Sequence, residues 1–336
     1  MLTLDNRTPY AAERNWTRDP TGAHHWSVAV KATFDIAPTG ALTLADDQPL
    51  PLLAPEHLGD PGLSSLRLDA DLGPLKPNTD VLVVGHAHAP RGQPVTELPV
   101  ALRLPGVEKT LLVVGDSVYH GGLGARSKTS PRPFTRMAVV YERAFGGTDP
   151  DEPDPAKRAF DLRNPVGTGF AVHPSQLANR LAPNILYPGK DPATAGPAGF
   201  GPIESYWSPR RELVGTYDAK WVEEQRPFLP KDWDPRSTLC SPVDQRPRQH
   251  LRGGELVSVV NMTPDGVLQV TLPKIYLAFT TYFGQRTEEH RAKLVTVILL
   301  TDERKLSMVW QTSLPVPLRH MDYLDRTLIK QKPYLT

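Results

Sequence analysis

The sequence predicts a mainly β protein: an antiparallel β-sandwich or barrel-like core with a Pro-rich, loop-rich covering segment and few short helices. Three observations carry this expectation. Short runs of β-branched and aromatic residues recur between turn signals, and no amphipathic helix separates them. Proline supplies 36 of the 336 residues, about twice the ordinary ~5%. Proline lacks an N–H and breaks both helix interiors and central strands, so the elements must be short and their connections pinned.

Along the chain, HWSVAVKATFDI (25–36) alternates, PTG (38–40) turns and ALTL (41–44) returns, which makes a hairpin. SLRLDADL (65–72), DVLVVGHAHA (80–89), LPVALRLP (98–105), KTLLVVGDSVY (109–119) and TRMAVVYERAF (135–145) follow as strands. Residues 150–249 differ, with 16 Pro and 7 Gly. They nevertheless keep many aromatic residues, which a disordered linker would lack, so an ordered segment lying across the β core is expected. Its helices should be short: SQLANRLA (175–182) and DAKWVEEQR (218–226), the second starting at Asp218 and stopping before Pro227. Strands resume with ELVSVVNM (255–262) and GVLQVTLP (266–273) around the turn Thr263-Pro264-Asp265-Gly266. IYLAFTTYF (275–283), AKLVTVILLT (292–301) and KLSMVWQTSL (305–314) complete a meander. In the tail, Met321, Leu324, Leu328 and Ile329 fall at helical spacing, which predicts a closing helix over 319–332. The whole, 1–336, reads as a single domain in three parts: 1–149 β-rich, 150–250 loop-rich, and 251–336 a meander.

Charge is balanced, Lys+Arg 38 against Asp+Glu 37, and no like-charge run marks a nucleic-acid arm. No stretch approaches the roughly 18 apolar residues of a membrane helix. The opening MLTLDNRTPYAAERNW has no signal-peptide organisation. A soluble, cytoplasmic protein is expected, with no nucleic acid and no membrane among its partners. The single cysteine, Cys240, excludes an internal disulfide and reads as a bystander thiol.

Several stretches resemble active sites. Gly115-Asp116-Ser117 at a strand end resembles the nucleophile turn of a Gly-Asp-Ser hydrolase, with His120 nearby as base. That class needs a strand-to-helix turn and a late Asp-x-x-His, and neither occurs, so a structural turn is expected. Gly122 to Thr129 resembles a phosphate loop, but Ser127 replaces the second Gly and Pro133 blocks the helix. His86 and His88 share one strand face, a spacing that can chelate zinc given a third ligand. Asp149, Asp151 and Asp154 invite calcium, yet their spacing departs from the calcium-loop pattern. The expectation is no catalytic residue, no metal and no cofactor.

A resemblance emerges at FTRMAVVYERAFGGTDP (134–150), RNPVGTGF (163–170), AGFGPIESYWSPRRELVGTYDAKW (198–221), RPFLPKDWDPR (226–236) and LRGGE (251–255). HAHAPRGQPVTELPV (86–100) is also similar. Together, and covering nearly the whole chain, they resemble the bacterial family catalogued as domain of unknown function 2169, found beside type VI secretion genes. The resemblance implies a non-catalytic adaptor or chaperone that holds a secreted effector in the cytosol and helps mount it on the VgrG or PAAR spike. No catalytic residue is carried over. Phe200, Tyr206, Trp207, Trp221 and Trp233 are the candidate partner-binding residues, to the extent that they are exposed rather than pinning loops to the core. A hydrolase on Ser117 and His120 and a carbohydrate-binding sandwich are the alternatives.

Overall fold

The computed structural model describes residues 3–120 and 127–333. The residues fold into three main sheets, 40% strand and 11% helix by residue, and none of the sheets closes into a barrel.

The first sheet runs Ala11–Arg18, His24–Ile36, Lys305–Pro315, Lys293–Leu300, Asp80–Val84, with Leu42–Leu44 added beside His24–Ile36. Its neighbours are antiparallel except for Asp80–Val84, which lies parallel to Lys293–Leu300. Its central strands, His24–Ile36, Lys305–Pro315 and Lys293–Leu300, are buried on both faces. Trp26, Val28, Val30, Ala32 and Phe34 enter the main core, while Ala29 packs with Leu72, Val295 and Val309. Alternate residues point to opposite faces, so a strand covered on both sides reads as a nearly continuous apolar run.

The second sheet runs Ile185–Leu186, Val107–Val114, Glu97–Leu104, Leu256–Val260, Val267–Thr271, antiparallel throughout. Here burial alternates: Val257 and Val259, then Leu268 and Val270, face the core, and their neighbours face outward. The turn at Thr263–Gly266 closes as expected, Gly266 N–H donating to Thr263 O at 3.1 Å. The third sheet runs Thr3–Asn6, Leu324–Lys332, Tyr276–Phe283, Arg286–Arg291. All three sheets contribute to one apolar cluster, joined by Phe200 and Trp207 from the proline-rich segment.

The structure departs from the sequence reading in several places. The tail is not a closing helix: only Leu318–Met321 is helical, and Leu324–Lys332 is a strand paired on both sides, parallel to Thr3–Asn6 and antiparallel to Tyr276–Phe283. Two ready partners outweigh a weak helical periodicity. SQLANRLA forms just a 3₁₀ turn, Pro174–Leu177, and TRMAVVYERAF breaks into Arg136–Ala138, a turn at Tyr141–Arg143 and the start of the short strand Phe145–Gly146. Of SLRLDADL, only Leu66–Leu68 is strand. The run 80–89 breaks at Gly85 into Asp80–Val84 and His86–His88. Gly85 has φ +155, and a Cβ there would meet Thr301 Oγ1 at 2.0 Å, so only glycine turns this corner. Arg286–Arg291, a charged edge strand, carries no apolar signal and went unread.

Candidate functional site

The proline-rich segment is docked on the exposed edge of the first sheet. Val83 N–H donates to Phe200 O (3.2 Å), and Gln245 Nε2 donates to Val81 O (2.5 Å) and Phe200 O (2.8 Å), so the segment uses backbone groups that a bare edge would leave to solvent. Below, Asp80 accepts from Lys76 Nζ (2.8 Å), Cys240 N–H (3.0 Å), Ser241 N–H (2.9 Å) and Ser241 Oγ (2.6 Å). Burial works against both charges, but each outweighs it for the other: the Asp80 carboxyl is held well below the usual carboxylate range and the Lys76 amine above its own. The Cys240 thiol is fully buried and pushed up, first by burial and then by Asp80, which keeps it protonated and unreactive. Arg210 adds a second pin, reaching Asp69 (2.8 Å), Ser237 O (2.8 Å) and Ile203 O (2.6 Å).

On this anchored base the five candidate aromatic residues separate. Phe200 and Trp207 are 0% and 1% exposed and belong to the core, so they drop out of any partner surface. Tyr206 is 49% exposed, and Trp221 and Trp233 are half-buried. Trp221 sits on the helix Ala219–Glu224, capped by Asp218 Oδ1 accepting from Trp221 N–H (2.8 Å), and that helix buries no residue. Its ring meets Tyr217 edge-on at 4.7 Å, and its indole N–H donates to Phe228 O at 3.0 Å. Phe228 in turn packs on the Gly22 turn, with the Arg18 guanidinium 5.9 Å from its ring. Thr216 and Asp232 close the base of this loop by two bonds, 3.0 and 2.8 Å. Tyr217, Val222 and Phe228 are exposed as well and were not singled out by sequence, although they lie within the same aromatic-rich stretch. The result is a knob in which the exposed rings of Tyr217 and Phe228 are held by the half-buried Trp221.

The other candidates have local explanations. Ser117 is buried, its carbonyl accepts from Ala182 N–H (2.9 Å), and among the described residues its hydroxyl joins no hydrogen bond, with His120 or otherwise. Asp116 is turned to Arg143 (3.2 Å) and Asn184 (3.0 Å) instead. Ser117→Ala is therefore expected to change stability by under about 1 kcal/mol in urea unfolding; ester hydrolysis abolished by this substitution would restore the hydrolase reading. Of the would-be phosphate loop, Gly122 to Thr129, residues 122–126 lie outside the described residues.

His86 Nδ1 and His88 Nε2 both face Asp302, at 2.6 and 3.4 Å, and Arg136 reaches the same carboxylate at 3.3 Å. This four-group clamp ties the His86–His88 corner to the turn after Leu300. Burial raises the Asp302 pKa but the histidines and Arg136 outweigh it and hold it low. No set of three or more His, Cys, Asp or Glu among the described residues is arranged to hold a metal ion. Asp149 bonds Gln176 (2.9 Å), Asp151 bonds Arg180 (2.9 Å) and Asp154 bonds Lys157 (3.2 Å), so each acid has a protein partner.

Two features escaped sequence reading. Lys109 is buried between the rings of Tyr187 and Phe200, 5.6 Å from each, and bonds Asp244 at 2.8 Å; burial lowers its pKa to about 8 against the pull of Asp244. A hollow of about 480 Å³ is lined by Gly147, Val166, Gly169, Phe170, Arg180 and Leu181, among others. It lies where FGGTDP and RNPVGTGF meet, Phe145–Gly146 pairing in parallel with Thr168–Gly169. Gly146 is obligatory because a Cβ would lie 2.2 Å from Asn164 O, and the buried Asn164 amide donates to Tyr141 O (2.7 Å) and Phe145 O (3.0 Å). These motifs thus determine the fold around the hollow.

A family model described as "Uncharacterized protein conserved in bacteria (DUF2169)" matches residues 21–311. No curated protein and no solved structure matches. No helix among the described residues is long and apolar enough to cross a membrane.

Proposed function

The chain belongs to this uncharacterized bacterial family, DUF2169, and from that premise we propose that it is a non-catalytic adaptor, which binds a type VI secretion effector in the cytosol and helps load it onto the VgrG or PAAR spike. The observation that carries the reading is the aromatic knob on the anchored proline-rich segment. Tyr and Trp dominate binding energy where they are exposed yet already fixed, because little side-chain freedom is then lost on association. Tyr206 and Tyr217 meet that description, held by neighbouring rings, and half-buried Trp221 is fixed beside Tyr217 by its indole bond. The secretion association comes from the resemblance of the motif series.

The test deletes the gene and follows the effector encoded beside it. That effector is expected to vanish from the secreted fraction, while spike assembly and export of unrelated effectors continue. Unchanged export, together with no co-purification of effector, VgrG or PAAR protein, would defeat the adaptor reading.

A further inference from the structure

The third sheet is joined to the first by a row of polar side chains inside the core. Trp26 Nε1 donates to Thr327 Oγ1 (2.8 Å), Thr327 Oγ1 meets Thr281 Oγ1 (2.9 Å), Thr281 Oγ1 meets His290 Nε2 (2.7 Å), and His290 Nδ1 meets Thr312 Oγ1 (2.6 Å). Trp26 and Thr312 belong to the first sheet, and Thr327, Thr281 and His290 to the third. Thr281 and Thr327 are completely buried and Thr312 almost so.

An indole N–H can only donate. A neutral imidazole has one donor and one acceptor, so donation can run in one direction through the ring. An imidazolium donates from both nitrogens. Thr327 then receives from Trp26 on one side and from Thr281 on the other, and its own hydrogen loses its acceptor in a dry site, a costly arrangement. The hydrogen-bond partners of the ring are both uncharged hydroxyls, and the Phe279 ring, 5.5 Å away at 31°, gives a cation only a weak attraction in place of a counter-charge. Burial alone lowers the His290 pKa to about 4.

We propose that His290 is an acid-sensitive latch: with its ring neutral it holds the third sheet on the first, and on protonation the third sheet opens while the first and second sheets stay folded. The sign follows from linkage. A ring whose pKa is depressed by folding contributes stability that is complete above about 6.5 and is lost as pH falls through about 4.

The experiment is hydrogen exchange on the full-length protein at pH 7.5, 6, 5 and 4, corrected for the intrinsic pH dependence of exchange. Amides of 276–291 and 324–332 are expected to lose about 100-fold or more of their protection relative to 24–36 and 305–315, as a shift from 6.5 to about 4 allows. His290→Gln, which can accept and donate at every pH, is expected to abolish that selective loss. Simultaneous opening of all three sheets, or an unchanged acid response in His290→Gln, would overturn the latch. If that variant does not fold, ¹⁵N-histidine titration of the wild type decides: His290 must titrate at the pH of opening, and titration near 6.5 without opening is the contrary result.

Discussion

Asp80→Ala is expected to destabilise the protein by about 3–5 kcal/mol, enough to unfold much of it at 25 °C if its total stability is about 5–15 kcal/mol. The carboxylate is completely buried and receives Lys76, two backbone N–H groups and the Ser241 hydroxyl. Its removal strands the Lys76 ammonium, which is left with Thr296 Oγ1 at 3.0 Å as its remaining close oxygen. It also orphans the N–H groups of Cys240 and Ser241, which fix the proline-rich segment to the sheet edge. Asp80→Asn keeps the shape but turns an amide N–H₂ toward either the ammonium or a backbone donor, so it recovers only part of the loss. Lys76→Met with Asp80→Asn removes the stranded charge and is expected to be more stable than Asp80→Ala. Urea unfolding followed by far-UV circular dichroism measures all three. An unchanged midpoint for Asp80→Ala would show that the hub does not hold the segment.

Such a hub is nearly silent in the sequence. An acid at the head of Asp80-Val81-Leu82-Val83-Val84 looks like a strand-end cap, and its partners lie at Lys76 and 160 residues onward at Cys240. The strands themselves were readable where local pattern and burial agree: His24–Ile36 with its return at Leu42–Leu44, and the Leu256–Val260 to Val267–Thr271 hairpin, whose alternation reflects one wet face. They were unreadable where pairing alone makes the strand. Arg286–Arg291 is polar throughout, and Leu324–Lys332 carries an apolar spacing that suits a helix equally well. The aromatic density of 150–249 predicts an ordered segment, and Phe200, Gln245 and Arg210 bond within it and to the sheet edge. That density could not separate core from surface, because a ring that pins a proline-rich loop and a ring that awaits a partner look alike until the neighbours are placed.

Tyr206 and Trp207 make that separation measurable. Trp207 is 1% exposed, meets Tyr141 edge-on at 5.7 Å and lies in the main core, so Trp207→Ala should cost about 3–5 kcal/mol of stability. Its neighbour is 49% exposed and touches Trp207 edge-on at 6.4 Å. Tyr206→Ala should leave stability within about 1 kcal/mol, since an exposed ring contributes little burial. If the adaptor reading holds, the same substitution, and Trp221→Ala on the knob, should each weaken effector binding by about 2 kcal/mol, roughly 30-fold in Kd. The two readouts are independent: urea midpoints report the fold, and titration calorimetry with the purified effector reports the surface. Trp221→Ala also removes the bond to Phe228 O and the edge-on contact with Tyr217, so its binding loss includes some loosening of the knob, whereas Tyr206→Ala tests contact more directly. A Tyr206→Ala protein that unfolds like Trp207→Ala would place this ring with the core. One that folds and binds at full strength, along with a fully binding Trp221→Ala, would remove the aromatic knob from the partner interface.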